Sequence, residues 1–387
     1  MKLTSILCVL LASAALAQPP SPVRDESVYS VPSYVVSNDK LELAIAARGG
    51  AMLRLLLQGD PEKLSPFGNP EKLTLNPPAG RAPQMLGHFV CVDGFGPVSP
   101  EESKAGLSSH GEAHVSPWEI ASSGKQGAAT TVKFTVKMPL LQEIFTRTIT
   151  LVDGESVVYV DSELESLVAF DRPVNWAEHA TIASPFLEPE KNFVDLSSTR
   201  SKTRSYAATG GGAARRRLAS FQDFTWPMAP AKGGGPAIDV RGVPASPDAM
   251  DHIATLLDPS RKLAFVTALN PGRQYLLGYI FRSQEFPWIQ QWMSYGANGW
   301  LQRGLEFATQ PFDVPRRETI ATGTMFDTPV FRWLPAKAKI TTRFVMFYTK
   351  TPPGMSKIDE VRLEGGKIVV EDRAADRQVV LAASLPQ

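Results

Sequence analysis

The sequence predicts an all-β protein, a large antiparallel β-sandwich, on three observations. Runs of alternating apolar and polar residues recur along the 387-residue chain, turn signals separate neighbouring runs at hairpin spacing, and sustained helical periodicity is hard to find. Alternation places every second side chain on one face, the pattern of a sheet with a single buried face. With 43% apolar residues the chain can fill a large core, and all-β domains of this length need not divide.

Read from the N-terminus, residues 1–17 carry the marks of a secretory signal. Lys2 supplies the positive end, residues 6–16 the apolar stretch, and Ala15-Leu16-Ala17 the small residues before a cut preceding Gln18. The apolar run is shorter than the ~20 residues of a spanning helix, so no membrane span is expected after cleavage, and the protein is expected in the periplasm or outside the cell. Residues 18–387 are then read as one domain. Loss of Lys2 and Cys8 leaves 39 basic and 39 acidic side chains and the single Cys91, which excludes an internal disulfide. Cys91 reads as a small buried hydrophobe. A neutral balance is no footprint for nucleic acid.

Residues 40–45, 131–136, 146–151, 156–161 and 339–344 alternate as half-buried strands, and Val152-Asp153-Gly154-Glu155 joins two of them at hairpin spacing. Pro-, Asn- and Gly-rich segments at 58–83 and 207–236 read as long surface loops. The second contains Arg215-Arg216-Arg217, which suits either a phosphate or a solvated loop; a lone charge run without partner spacing favours the loop. Leu363-Glu364-Gly365-Gly366-Lys367-Ile368 reads as a hairpin that closes the sandwich.

The chain has five histidines, so each can be weighed. His110 and His114 share the spacing of a metal pair, but a zincin helix places Glu directly after the first His, where Gly111 stands, and Pro117 argues against a helix. No metal is therefore expected; on an extended strand both rings share a face. His179 lies beside Glu178 and three residues after Trp176, suiting either a satisfied structural histidine or an acid catalyst. Glu306 sits among Leu305, Phe307 and Ala308. It reads as a desolvated carboxyl with the raised pKa of a general base, or as the wet face of a strand. Phe286, Trp288, Trp292, Tyr295 and Trp300 interleave with Gln290, Gln291, Asn298 and Gln302, and rings beside amides suit a sugar, whose C–H face stacks while its hydroxyls need polar partners. There is no Gly-x-Ser-x-Gly elbow, phosphate loop or Cys-x-x-Cys pair.

Taken in order, these segments resemble the galactose mutarotase (aldose 1-epimerase) superfamily. Leu41 to Ile45 leading into Arg48-Gly49-Gly50-Ala51 resembles its opening strand and turn, and His110-Gly111 through Pro117-Trp118-Glu119 its first histidine segment. Glu178-His179 falls at its second histidine. Met250-Asp251-His252, Pro271-Gly272-Arg273-Gln274-Tyr275 and Gly304-Leu305-Glu306-Phe307-Ala308-Thr309 are similar to its later motifs, the last bearing the catalytic glutamate. The resemblance covers most of residues 35–320 and implies a mutarotase-like supersandwich acting on a mono- or oligosaccharide with no cofactor. It implies that Glu306 takes the proton of the anomeric hydroxyl, that His179 protonates the ring oxygen, that His110 binds near that oxygen and that Asp251 holds outer hydroxyls. Trp176, Trp288 and Trp300 are the expected sugar-binding rings, and His88 is the candidate for an early family arginine with no counterpart here. His179 departs from the family in being followed by Ala180-Thr181-Ile182-Ala183 rather than an aromatic pair and Asn. A noncatalytic carbohydrate-binding protein on the same fold is the alternative, and the sequence does not fix an oligomeric state.

Overall fold

The computed structural model describes residues 21–68, 87–206 and 213–385. The signal segment 1–17 lies outside them, as do parts of both expected loops. All five expected strands are present, as Leu41–Ala46, Ala129–Met138, Glu143–Val152, Val157–Ser166 and Lys339–Lys350, the first and fourth starting one residue later than expected. Their neighbours pair antiparallel, and the hairpin at Gly154 sets Leu151 opposite Val158. Among the described residues the α-helices are Pro100–Lys104 and Arg316–Thr322, and none is long and apolar enough to cross a membrane.

Two large sheets, of eleven and eight strands, pack face to face. Side by side in the middle of the larger sheet run His88–Val92, Trp176–Ala183, Leu301–Ala308, Trp288–Tyr295, Ala249–Leu257 and Ser198–Thr203. Val90, Trp176, Ala180, Leu305, Phe307, Ile289, Met293 and Ile253 from these strands enter the core between the sheets. By the two-residue period of a strand, the side chains between them project from the opposite face. That second face carries the site.

The C-terminal hairpin forms as expected, with Glu360–Glu364 pairing Lys367–Asp372 around Gly365-Gly366, but it does not close the sandwich. With Arg377–Ala382 it makes a separate three-stranded sheet. Val361, Ile368, Val370 and Val379 pack on Val157, Phe265, Leu276, Ile280, Val345 and Phe347, covering the outer face of the eight-stranded sheet as a third layer. The two expected surface loops also differ. In 58–68, Leu64 and Phe67 are buried in the core and Leu64 O accepts from Tyr348 Oη. Within 213–236, Asp223–Phe224 adds the last strand to the larger sheet.

Candidate active site

Strand pairing aligns the two residues the sequence singles out for acid–base chemistry. His179 and Glu306 are direct cross-strand partners on the face away from the core. Nε2 of His179 lies 3.2 Å from Oε1 of Glu306. The imidazole is oriented from its other side by Thr181, two residues on along the same face, whose Oγ1 is 2.9 Å from Nδ1. Below it, the ring stacks on Phe89 with centroids 4.3 Å apart.

Glu306 is fully buried and its Oε2 accepts a hydrogen bond from Gln290 Nε2, whose Oε1 accepts the backbone N–H of Asp313. Oε1 has no aligned hydrogen-bond donor among the described residues. Burial raises the carboxyl to about 8, and the Gln290 hydrogen bond and the charge of Arg204 recover only part of that shift. Gly304 makes this placement possible, because a Cβ there would lie 2.0 Å from Oε1.

Over this face comes the segment bearing His110 and His114. Gly49 (φ +83°) admits it, since a Cβ there would meet His114 O at 2.2 Å while its N–H donates to Ser116 O. His110 lies edge-on to His179, centroids 5.3 Å apart, and accepts the Gly96 N–H on Nδ1, leaving Nε2 as a donor. Cys91, buried as expected, has its Sγ 3.4 Å from the same Nδ1. His114 stacks on the second face of Phe89 at 4.2 Å. Burial pushes His110 down to about 3 and His114 to about 4, and holds His179 well below its ordinary value with the neighbouring imidazoles adding to the effect. Glu112, between the two histidines, turns away to accept the N–H groups of Leu140 and Leu141, and among the described residues no three His, Cys, Asp or Glu converge as metal ligands.

The structure thus brings His110, His179 and Glu306 together. It places the other named residues elsewhere. His88 and Trp176 are on the core face, where both hydrogen-bond to Glu178, which also pairs with Arg147. Asp251 also faces away from Glu306, accepting the N–H groups of Arg217 and Leu218 and the Arg217 side chain. Its neighbour His252, cross-strand partner of Trp292, occupies the site face instead. Trp288 is on the site face but buried under Phe326 and Val330, with Nε1 donating to Pro329 O. Trp300 is packed on Ala183 toward the strand end.

Sequence reasoning passed over several residues here. Gln290 and Trp292 stood in the ring-and-amide cluster, so a signal existed, and Trp292 lies edge-on to His179 at 6.3 Å. Thr181, whose hydroxyl orients His179, and Arg204, paired with Asp313, had none.

The sequence matches no protein-family model and none of the curated proteins. Solved structures match over most of their length. A candidate aldose 1-epimerase from Klebsiella pneumoniae superposes with a TM-score of 0.59 at 12% identity, over 84% of this chain and 83% of that one. A galactose mutarotase-like protein from Clostridium acetobutylicum gives 0.58 at 12% identity over 85% and 99%. Another from Lactobacillus casei gives 0.52 at 14% over 82% and 100%. The chain therefore has the fold of the galactose mutarotase-like superfamily. At these identities the likeness speaks for the fold alone, and what the site does rests on its own residues.

Proposed function

We propose that the protein is a carbohydrate-active enzyme of the aldose 1-epimerase type, interconverting sugar anomers by general acid–base catalysis without a cofactor. The observation that carries this reading is the His179–Glu306 pair, an imidazole and a carboxyl 3.2 Å apart on the site face and shielded from bulk water.

The pair shares one proton. At rest it lies on the carboxyl, since burial raises Glu306 to about 8 and depresses His179. Moving it across the 3.2 Å gap gives the isoprotonic form, carboxylate and imidazolium, which is the base and acid that ring opening needs. Glu306 Oε1 then removes the anomeric O–H proton as His179 Nε2–H protonates the ring oxygen and the C1–O5 bond breaks. The products are an open-chain aldehyde and the pair in its resting state. Rotation about C1–C2 and reversal of the transfers closes the ring on the other face of the carbonyl. No proton is gained or lost, and each catalysed transfer contributes ~100- to 10,000-fold. The Nε2–H of His110 is a donor for the ring oxygen as its charge develops.

Polarimetric relaxation of freshly dissolved α-glucose and α-galactose tests the reading. Acceleration that disappears in Glu306→Gln is expected; equal acceleration by that variant overturns it. The domain 18–387 and export directed by residues 1–17 belong to the same proposal, and a recovered N-terminus at Gln18 is the expected result.

A further inference from the structure

The arginine triplet reads in the sequence as a solvated loop, yet its members have separate roles. Arg215 donates to Asp248 Oδ1 at 2.6 Å and to Tyr295 O at 2.7 Å. Arg217 donates to Asp251 Oδ2 at 2.7 Å. These two anchors fix the segment to the neighbouring ends of Ala249–Leu257 and Trp288–Tyr295. Arg216 makes neither kind of bond with a described residue. Its guanidinium lies over the Tyr206 ring, 3.2 Å from the centroid, and its Nε is buried without a hydrogen-bond partner among the described residues. Tyr206 Oη is 2.8 Å from Nδ1 of His252, which faces the site beside Trp292. The neighbouring Arg204 is neutralised by Asp313, whereas Arg216 forms no ion pair with a described residue.

The geometry points to Arg216 as the binding residue for an anionic substituent, carboxylate or phosphate, at the end of the sugar remote from the anomeric carbon, so that the substrate class is an anionic aldose. This rests on the reading of His179 and Glu306 as the anomeric end. Glu306 and His252 stand on strands separated by one other, about 10 Å across the sheet. Tyr206 bridges from His252 to Arg216, so an anionic substituent held by Arg216 belongs to the His252 end of the site, across the sheet from Glu306. A planar guanidinium, already stacked and lacking a counter-ion, forms two parallel hydrogen bonds to a carboxylate or phosphate at little further ordering cost. The histidines of this face are held neutral by burial, so no second imidazolium competes for the anion.

The test compares Kd, by calorimetry, for glucose and galactose with those for glucuronate, galacturonate and the two 6-phosphates, in the full chain and in Arg216→Gln and Arg216→Lys. The expected result is at least tenfold tighter binding of one anionic set. That preference is lost in Arg216→Gln, partly restored in Arg216→Lys and weakened by salt, and the set that shows it separates carboxylate from phosphate. Equal binding of neutral and anionic sugars, a preference that survives in Arg216→Gln, or no binding of any sugar overturns the assignment. Polarimetry keeps the two claims apart. An Arg216-dependent anionic preference without anomer interconversion supports this site and removes the epimerase reading; interconversion of neutral and anionic sugars alike does the reverse.

Discussion

Glu178 and His179 are consecutive in the chain and look out of opposite faces of one sheet. His179 meets Glu306 on the site face, while Glu178 is fully buried between the sheets with Arg147 and the rings of His88 and Trp176. The floor of the site is thus held by a charged cluster. Burial opposes the ionised form of Glu178, yet Arg147 and the His88 hydrogen bond hold its carboxyl below the ordinary range. Burial also lowers His88, so the cluster is one cation, one anion and a neutral ring. Glu178→Gln leaves the Arg147 charge buried without a counter-ion and is expected to cost about 3–5 kcal/mol in urea unfolding. A loss below about 1 kcal/mol would show that the pair is not a support.

The pH dependence follows from the shared proton. Catalysis needs one proton on the His179–Glu306 pair, and raising the pH through about 8 removes it. The expected kcat/KM is level near neutrality and falls above pH 8 with the slope of a single ionisation. A rate that climbs through pH 8 would mean that the carboxylate acts without an imidazolium.

The same carboxyl links activity to stability. Its folded-state pKa is raised, so its contribution is full below the unfolded value near 4.5 and is lost as pH rises toward about 8. Glu306→Gln carries no such penalty. Its stability relative to the parent is expected to grow between pH 5 and pH 8, by at most about 1.4 kcal/mol per pH unit, in denaturant titrations. A difference that stays constant with pH would place the proton elsewhere.

Gly304 tests positioning apart from chemistry. An added methyl would collide with Glu306 Oε1 and displace the side chain, and the three atoms nearest to it all belong to the Glu306 side chain. Gly304→Ala is expected to lower kcat at least 100-fold with little change in Tm, and near-normal turnover would show that the carboxyl need not occupy this place.

How far the sequence could be read depended on how many faces of a strand are buried. Glu143–Val152 alternates buried and half-buried residues along its whole length, and its position and hairpin partner were legible. His88–Val92, Trp176–Ala183 and Leu301–Ala308 are buried at every position, so alternation vanishes and which residues share a face cannot be assigned from pattern. His88 and Trp176 lie on such strands, one residue out of phase with the site; Asp251 lies on a strand that does alternate there, buried between half-buried Met250 and His252, and only the family resemblance points to it in place of His252. Glu306 and His179 stand out as an acid and an imidazole inside such strands, where each demands a partner, but the residues alone leave their roles open and only the family resemblance pairs them. Their direct opposition required the register of the sheet. Arg204 and Thr181 carry no pattern of their own, and their roles exist only in three dimensions.

That His179 and Glu306 act as one unit is tested by the rate of anomer relaxation in Glu306→Gln, His179→Asn and the double variant, with sugar binding measured on each. The expected result is a loss of at least 100-fold in each single variant, no further loss in the double, and retained binding. Losses that multiply in the double variant, or a single variant that still accelerates relaxation, would contradict it.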